Sequence, residues 1–266
     1  MYFIICACLF IALAMPNVTT ADIKQVSTMA EIGKFFEGTS SETLAVFDID
    51  NVLLIPKEPA FQLPNMKKYK DIYKKYTKPL STDELDVFLN LIIQRYPSQL
   101  LEPGIPQLVQ QLAKQGVRPI ALTAVWSDRL GISRRHDDLQ KFGVDFSASF
   151  PKMPHTEFRD FPKYRGRQPI FDRGIIYANG LQFDKGKILV DFLKKANLHP
   201  KQIIFVDDLR KNLDAIQAAL EPLGIAFVGL EYTGAEAFPA TPIDSDTFEH
   251  TMRALTEEAQ HMTHTK

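Results

Sequence analysis

The chain has 266 residues, 45% of them hydrophobic, with a formal net charge of −1. That length suits one sizeable domain with an insertion. The balanced charge gives no global electrostatic preference for nucleic acid, and no fixed-period repeat or low-complexity tract points to a solenoid or a disordered chain.

Residues 2–15 are almost wholly apolar, the length of a signal-peptide core and short for a membrane span. Small residues follow at candidate cleavage positions, either Ala12 and Ala14 or Thr19 and Ala21. No Lys or Arg precedes the apolar core. The expectation is a signal peptide over 1–21, export to the periplasm or beyond, and no stable membrane span after cleavage. Both cysteines, Cys6 and Cys8, lie inside that segment, so the mature chain would hold no thiol nucleophile, disulfide or cysteine zinc site.

Residues 27–36 read as a short amphipathic helix. The run Leu44-Ala45-Val46-Phe47-Asp48-Ile49-Asp50 is a strand ending in two carboxylates one residue apart. Side chains alternate along an extended chain, so Asp48 and Asp50 can face the same way. Two like charges at the end of a buried strand call for a cation or a shared proton. Beyond Pro56, Met66, Tyr69, Tyr73 and Tyr76 recur at helical spacing among lysines. Lysines with interleaved tyrosines could serve a nucleic acid, but a solvated helix face is the plainer reading. Ser81 with Glu84 fits a capping box that opens a second helix. Residues 105–115 read as a helix, and 117–123 as a strand ending in Thr123.

Residues 129–173 carry ten Lys or Arg against six Asp or Glu, a local net of about +4. Arg134 and Arg135 are expected to open a helix, residues 144–150 to form a strand, and 151–169 a long exposed loop. Asn179-Gly180 between residues 175–178 and 181–183 predicts a hairpin. His155, Arg159, Arg165 and Arg167 are candidates for selecting an anionic substrate. Asp184 can cap a helix starting at Lys185, and a cation at a helix N-terminus makes sense beside a bound anion. Residues 202–208 repeat the opening pattern, an apolar strand ending in Asp207 and Asp208. A terminal helix is predicted over 247–262.

Apolar strands alternating with amphipathic helices imply a parallel sheet with helices on both sides, whose ligands bind beyond the carboxyl ends of the strands. Clustered carboxylates without Cys, and without His beside them, are hard oxygen donors that suit Mg²⁺ rather than zinc. Lysine and threonine would hold the oxygens of a phosphate. One carboxylate could attack phosphorus and a second could serve as acid and then base.

Asp48-Ile49-Asp50-Asn51-Val52, then Thr123, then Lys185-Gly186, then Asp207-Asp208 resembles, in type and order, the four motifs of the haloacid dehalogenase (HAD) superfamily. With its apolar N-terminus the chain is similar to a group of bacterial secreted HAD-like proteins. The resemblance implies a HAD-like Rossmannoid three-layer fold. Its core would be residues 22–54 and 103–250, with a small helical cap over 55–102. A loop and β-hairpin insertion would occupy 151–183, and a C-terminal helix and tail 251–266. It implies Asp48 as nucleophile and Mg²⁺ ligand. Asp50 would be the general acid and base, with its backbone carbonyl on the metal. Thr123 and Lys185 would bind the phosphoryl group. Asp207 would be a further metal ligand, with Asp208 and Asn212 in support. An acid at Asp50 marks phosphatases and phosphotransferases, because true dehalogenases lack one there. One departure is Lys185-Gly186 where many members have Lys-Pro; Lys187 lies close by. The expectation is an exported Mg²⁺-dependent phosphatase of small-molecule phosphate esters. The alternatives are a binding or effector module on the same fold and a phosphotransferase using the same site.

Overall fold

The computed structural model describes residues 22–153 and 155–264. The expected signal segment, with both cysteines, lies outside the described residues. Among the described residues no helix is long and apolar enough to cross a membrane.

In chain order the elements begin with β1 (Asp22–Val26), α1 (Met29–Lys34), β2 (Thr43–Phe47) and β3 (Leu54–Pro56). The helices α2 (Leu63–Lys68), α3 (Lys70–Thr77) and α4 (Thr82–Arg95) follow, then β4 (Ser98–Leu100), α5 (Ile105–Lys114), β5 (Arg118–Thr123) and α6 (Arg129–Lys141). The rest comprises β6 (Thr156–Glu157), β7 (Ile170–Asp172), β8 (Ile175–Tyr177), α7 (Lys185–Lys195), β9 (Gln202–Asp207), α8 (Arg210–Leu220), β10 (Ala226–Tyr232) and α9 (Ser245–His264).

The main sheet has eight strands in the order β1-β10-β9-β2-β5-β8-β7-β6. Its first six strands pair in parallel, and β7 and β6 add antiparallel edges. Strand alternation splits the core into two layers. Ala45, Phe47, Ala121, Ile204 and Val206 pack with Ile32 of α1 and with Ile105, Val109 and Leu112 of α5. Leu44, Val46, Ile120, Leu122, Ile203 and Phe205 face the other way, against Ile188, Leu189 and Phe192 of α7 and Leu213 and Ile216 of α8. This mixed α/β, three-layer architecture is the expected fold class. Central β2 has β9 on one side and β5 on the other. The carboxyl ends of these three strands therefore meet at one edge, where the strand order reverses.

A third apolar cluster joins Phe61, Val87, Phe88, Leu91 and Trp126 to Phe248, Met252, Leu255 and Ala259 of α9. The Ser81–Glu84 capping box forms as expected at the start of α4. The tyrosine stripe turns inward to this cluster. Tyr69 packs on Phe248 with ring centroids 5.0 Å apart, and the Tyr76 hydroxyl donates to Glu249 at 2.9 Å.

The structure departs from the sequence expectation at four places. The tyrosine-bearing helix is broken at Tyr69 into α2 and α3. α6 starts at Arg129, where the Asp128 side chain caps the Gly131 amide at 2.6 Å, so Arg134 and Arg135 lie mid-helix. Residues 144–150 form no strand. Val144 and Phe146 are buried, but the segment curls into a 3₁₀ turn at Ser147–Ser149. The hairpin joins β7 to β8 through Arg173-Gly174, not through Asn179-Gly180. Arg173 (φ 47°) and Gly174 (φ 82°) take the left-handed conformations of a tight two-residue turn. A Cβ on Gly174 would sit 2.2 Å from the Phe146 carbonyl oxygen. Gly174→Ala is therefore expected to cost about 2 kcal/mol or more of stability. Urea melting checks this, and an unchanged midpoint would refute the turn assignment.

Candidate active site

The loop after β2 starts the site. The Asp48 amide donates to the Val206 carbonyl of β9 at 2.8 Å, which continues the ladder past the strand end. The chain then folds sharply: the Leu53 and Leu54 amides both donate to the Ile49 carbonyl at 2.9 Å. Asn51 takes a left-handed conformation (φ 59°), which asparagine tolerates. This tight loop sends the two acids to different partners.

Asp48 is buried. Its Oδ1 accepts from the Ile49 amide at 2.8 Å, and its Oδ2 lies 3.0 Å from Lys185 Nζ. Lys185 also donates to Asp207 Oδ2 at 2.8 Å. The ammonium, itself buried, thus joins the ends of β2 and β9. Burial works against the Lys185 charge, but Asp207 and Asp48 outweigh it and hold its pKa above the ordinary lysine value. Burial drives the Asp48 carboxyl well above the usual carboxylate range. Lys185 opposes that, while Asp207, Asp208 and Asp50 add to it.

Lys185 is placed by two local features. Asp184 caps α7 by accepting from the Lys187 amide at 2.9 Å. Gly186 lets α7 approach α8 closely, since a Cβ there would sit 2.4 Å from the Ala215 carbonyl oxygen. That contact gives the glycine after the lysine a physical reason. Lys187, the neighbouring alternative, is exposed.

Asp207, fully buried, accepts from the Leu209 amide at 2.9 Å. The Asn212 side-chain amide reaches both Asp207 oxygens, at 2.8 and 3.0 Å. Asp208 accepts from Asn51 Nδ2 at 3.2 Å. Burial first, then the Asp207 charge, push its pKa up to about 7. Carboxylate oxygens of Asp48, Asp207 and Asp208 lie within 4.8 Å of one another, the spacing of a metal-binding group.

The Asp50 carboxylate is not in that group. Its Oδ1 pairs with the Arg135 guanidinium, and its Oδ2 accepts from Thr123 Oγ1 at 3.4 Å. Thr123 is fully buried at the end of β5, and its hydroxyl also accepts from the Val125 amide at 3.2 Å. Arg135 is 1% exposed, and its second nitrogen donates to Ser98 Oγ at 3.0 Å. Neither Arg135 nor Asn51 was singled out from sequence. The readable signal for Arg135 was its place between Ile132 and Leu139 on the inward stripe of α6, where a charge needs a partner. The other four candidates make no hydrogen bond or ion pair to Asp48, Asp50, Asp207 or Asp208 among the described residues. His155, Arg159 and Arg167 line a cavity, and Arg165 stacks over Trp126 with its guanidinium 4.6 Å from the ring centroid.

The donor set fits a hard divalent cation. Three carboxylates face one ammonium, so two formal negative charges remain in a largely buried space. The ligand atoms are all oxygens, which suits Mg²⁺.

The family model described as "Protein of unknown function (DUF2608)" matches residues 25–263. An uncharacterized protein of Rickettsia bellii is 23% identical over 245 residues, covering 85% of this chain and 82% of the relative. The uncharacterized protein RP296 of Rickettsia prowazekii is 25% identical over 215 residues, covering 79% and 77%. Among solved structures, the haloacid dehalogenase-like hydrolase SP0104 of Streptococcus pneumoniae shares 14% identity at a TM-score of 0.36, covering 71% of this chain and 94% of that one. The HAD family enzyme bt-2542 of Bacteroides thetaiotaomicron, a magnesium complex, shares 14% at a TM-score of 0.35, covering 77% and 98%. At these scores the two solved structures fix no activity here.

Removing one partner of a buried ion cluster strands the others. Lys185→Met is expected to lose roughly 3–5 kcal/mol of stability. Adding Asp48→Asn should return part of that loss, because it removes one of the stranded charges. A double-mutant cycle in urea checks this; additive losses would show that the two groups do not interact.

Proposed function

The chain belongs to the DUF2608 family, and we propose that it is a Mg²⁺-dependent phosphomonoesterase working through an aspartyl-phosphate, on a HAD-like plan. One observation carries the proposal. A lysine at the start of α7 and three carboxylates from the ends of β2 and β9 meet around one point, while a fourth carboxylate two residues from the first is held apart by an arginine. Burying that much like charge is costly unless a cation and an anionic substrate complete it.

In this reading Asp48, Asp207 and Asp208 would hold the metal, together with the Asp50 carbonyl. The bound ion would supply charge neutralisation to the phosphoryl oxygens. The chain's own groups do the rest. A carboxylate oxygen of Asp48 attacks phosphorus in line as the ester P–O bond breaks. Lys185 and Thr123 hold phosphoryl oxygens and balance their charge. Asp50 gives a proton to the departing alkoxide, which leaves as the alcohol. In the second half, Asp50 takes a proton from water as the water oxygen attacks phosphorus. The bond between the Asp48 oxygen and phosphorus then breaks, returning the Asp48 carboxylate and a protonated Asp50 and releasing phosphate.

Contacts on both Asp50 and Asp207 support that division of labour. Arg135 clamps one Asp50 oxygen, and among the described residues only the weak Thr123 contact engages the other, so a proton carrier would be aimed yet not fully tied down. Asn212 and the Leu209 amide orient Asp207 as groups behind a metal ligand do. Export is also proposed, on the apolar residues 2–15 alone. Amino-terminal sequencing of the secreted product would test it, and recovery of the intact chain in the cytosol would refute it.

Purified protein should hydrolyse p-nitrophenyl phosphate with Mg²⁺ and lose activity in EDTA. Asp48→Asn should abolish turnover. Mg²⁺ at one hundred times its Kd should stabilise the wild type by about 2.7 kcal/mol, and Asp207→Asn should remove most of that gain. Hydrolysis by Asp48→Asn at the wild-type rate would sink the covalent mechanism. A melting curve indifferent to Mg²⁺ would sink the metal site.

A further inference from the structure

We propose that the substrate carries a second anionic group, a phosphate or carboxylate, seated in a cationic cavity beside the site. This rests on the hydrolase reading above and names its substrate class. The cavity is about 790 Å³, and its charged walls are Arg129, Arg159, Lys163, Arg167 and Glu157. Arg159 pairs with Glu157 at 3.4 Å. Arg129, Lys163 and Arg167 make no ion pair among the described residues. Three uncompensated cations around one concavity, in a chain of net charge −1, are a local electrostatic feature and not a general one.

Ser133 adds a hydroxyl to the same wall. Gln168 also lines it, but its side-chain amide already donates to the Arg159 and Phe161 carbonyls, at 3.1 and 2.6 Å. The arginine forks suit the oxygens of a phosphate or carboxylate. The loop that carries them is anchored. Asn179 accepts from the Ser127 amide at 3.1 Å and donates to the Tyr164 and Arg167 carbonyls at 3.0 and 2.9 Å. The Ser127 hydroxyl donates to the Gln168 carbonyl at 2.6 Å. The cavity wall is therefore tied to the segment that follows β5.

Chain connectivity keeps the cavity close to the site. Ser127 is four residues beyond Thr123, so their Cα atoms are at most about 14 Å apart. Ile132 and Ser133 line the cavity, and Arg135, less than one turn further along α6, holds Asp50. A linear molecule with two anionic ends could place one at the carboxylate–lysine cluster and the other among the arginines.

The test uses non-hydrolysable phosphonates and calorimetry on the full chain with Mg²⁺. Alkyl monophosphonates are compared with α,ω-bisphosphonates and ω-phosphonoalkanoates of increasing length. At one best length a two-anion probe should bind at least about tenfold more tightly than the monophosphonate, the worth of one charge-assisted hydrogen bond. Which probe wins identifies phosphate or carboxylate as the second group. The double variant Arg129→Gln/Arg167→Gln should erase the advantage and leave monophosphonate affinity unchanged. Arg159→Gln, altering a side chain 82% exposed, should weaken it without threatening the fold. Equal affinities at every length would overturn the proposal, as would an advantage that survives these variants. A panel of phosphate esters run in parallel separates the two readings. Preference for two anions without any turnover removes the hydrolase but leaves the cavity; turnover without preference does the reverse.

Discussion

The site depends on one ammonium. Lys185 is buried between Asp48 and Asp207, which end two neighbouring strands, and it comes from the first turn of α7. Each of these charges alone would be costly in the interior. Together they are tolerable only while β2, β9 and α7 keep their mutual positions, so the fold and the site stand or fall together. The lysine does not balance the whole cluster. Asp208 adds a further carboxylate that accepts from the Asn51 amide, and burial with the Asp207 charge holds its pKa up. Excess negative charge at the end of a parallel sheet makes this region attractive to a cation by its electrostatics, before any chemistry is invoked.

The backbone around the lysine is shaped for it. Gly186 gives α7 its close approach to α8, and α8 in turn carries Asn212 to Asp207. A bulkier residue at 186 would have to move the helix that holds the ammonium, or the one that holds the amide. The same economy appears on β5. Thr123 ends the strand, and three residues later Trp126 donates its indole N–H to Asp86 at 2.5 Å and its amide to Asn90 at 3.0 Å. α4 thus fixes the segment leaving Thr123, and α4 is packed in turn on α9.

Much of this was legible because it is local. Strand-end acids, a strand-end threonine and a capped lysine are each visible within ten residues, and a parallel sheet brings such ends together. What was not legible depends on distant partners. Arg135 reads as one basic residue in a basic stretch, because its partner Asp50 is 85 residues away. Asn179-Gly180 reads as a hairpin turn, and both residues do take positive φ. The Asn179 side chain is instead spent on Ser127, Tyr164 and Arg167, and the turn falls to Arg173-Gly174. Residues 144–150 have strand composition, but with Ser149 donating to the Pro119 carbonyl they wrap the start of β5 without forming a strand.

α6 ties these parts to one another. One side sends Arg135 inward to Asp50; another presents Arg129, Ile132 and Ser133 to the cationic cavity. A helix is stiffer than a loop, so groups on one helix keep their spacing to within a fraction of an ångström. Arg135, which holds Asp50, and Arg129, which faces the cavity, are thereby set at a fixed separation. A substrate whose second anion sits at the wrong distance could engage one end or the other, but not both. Under the proposal, α6 would set the distance from Asp50 to Arg129, and the loop tied to Ser127 through Asn179 would set that of Arg167.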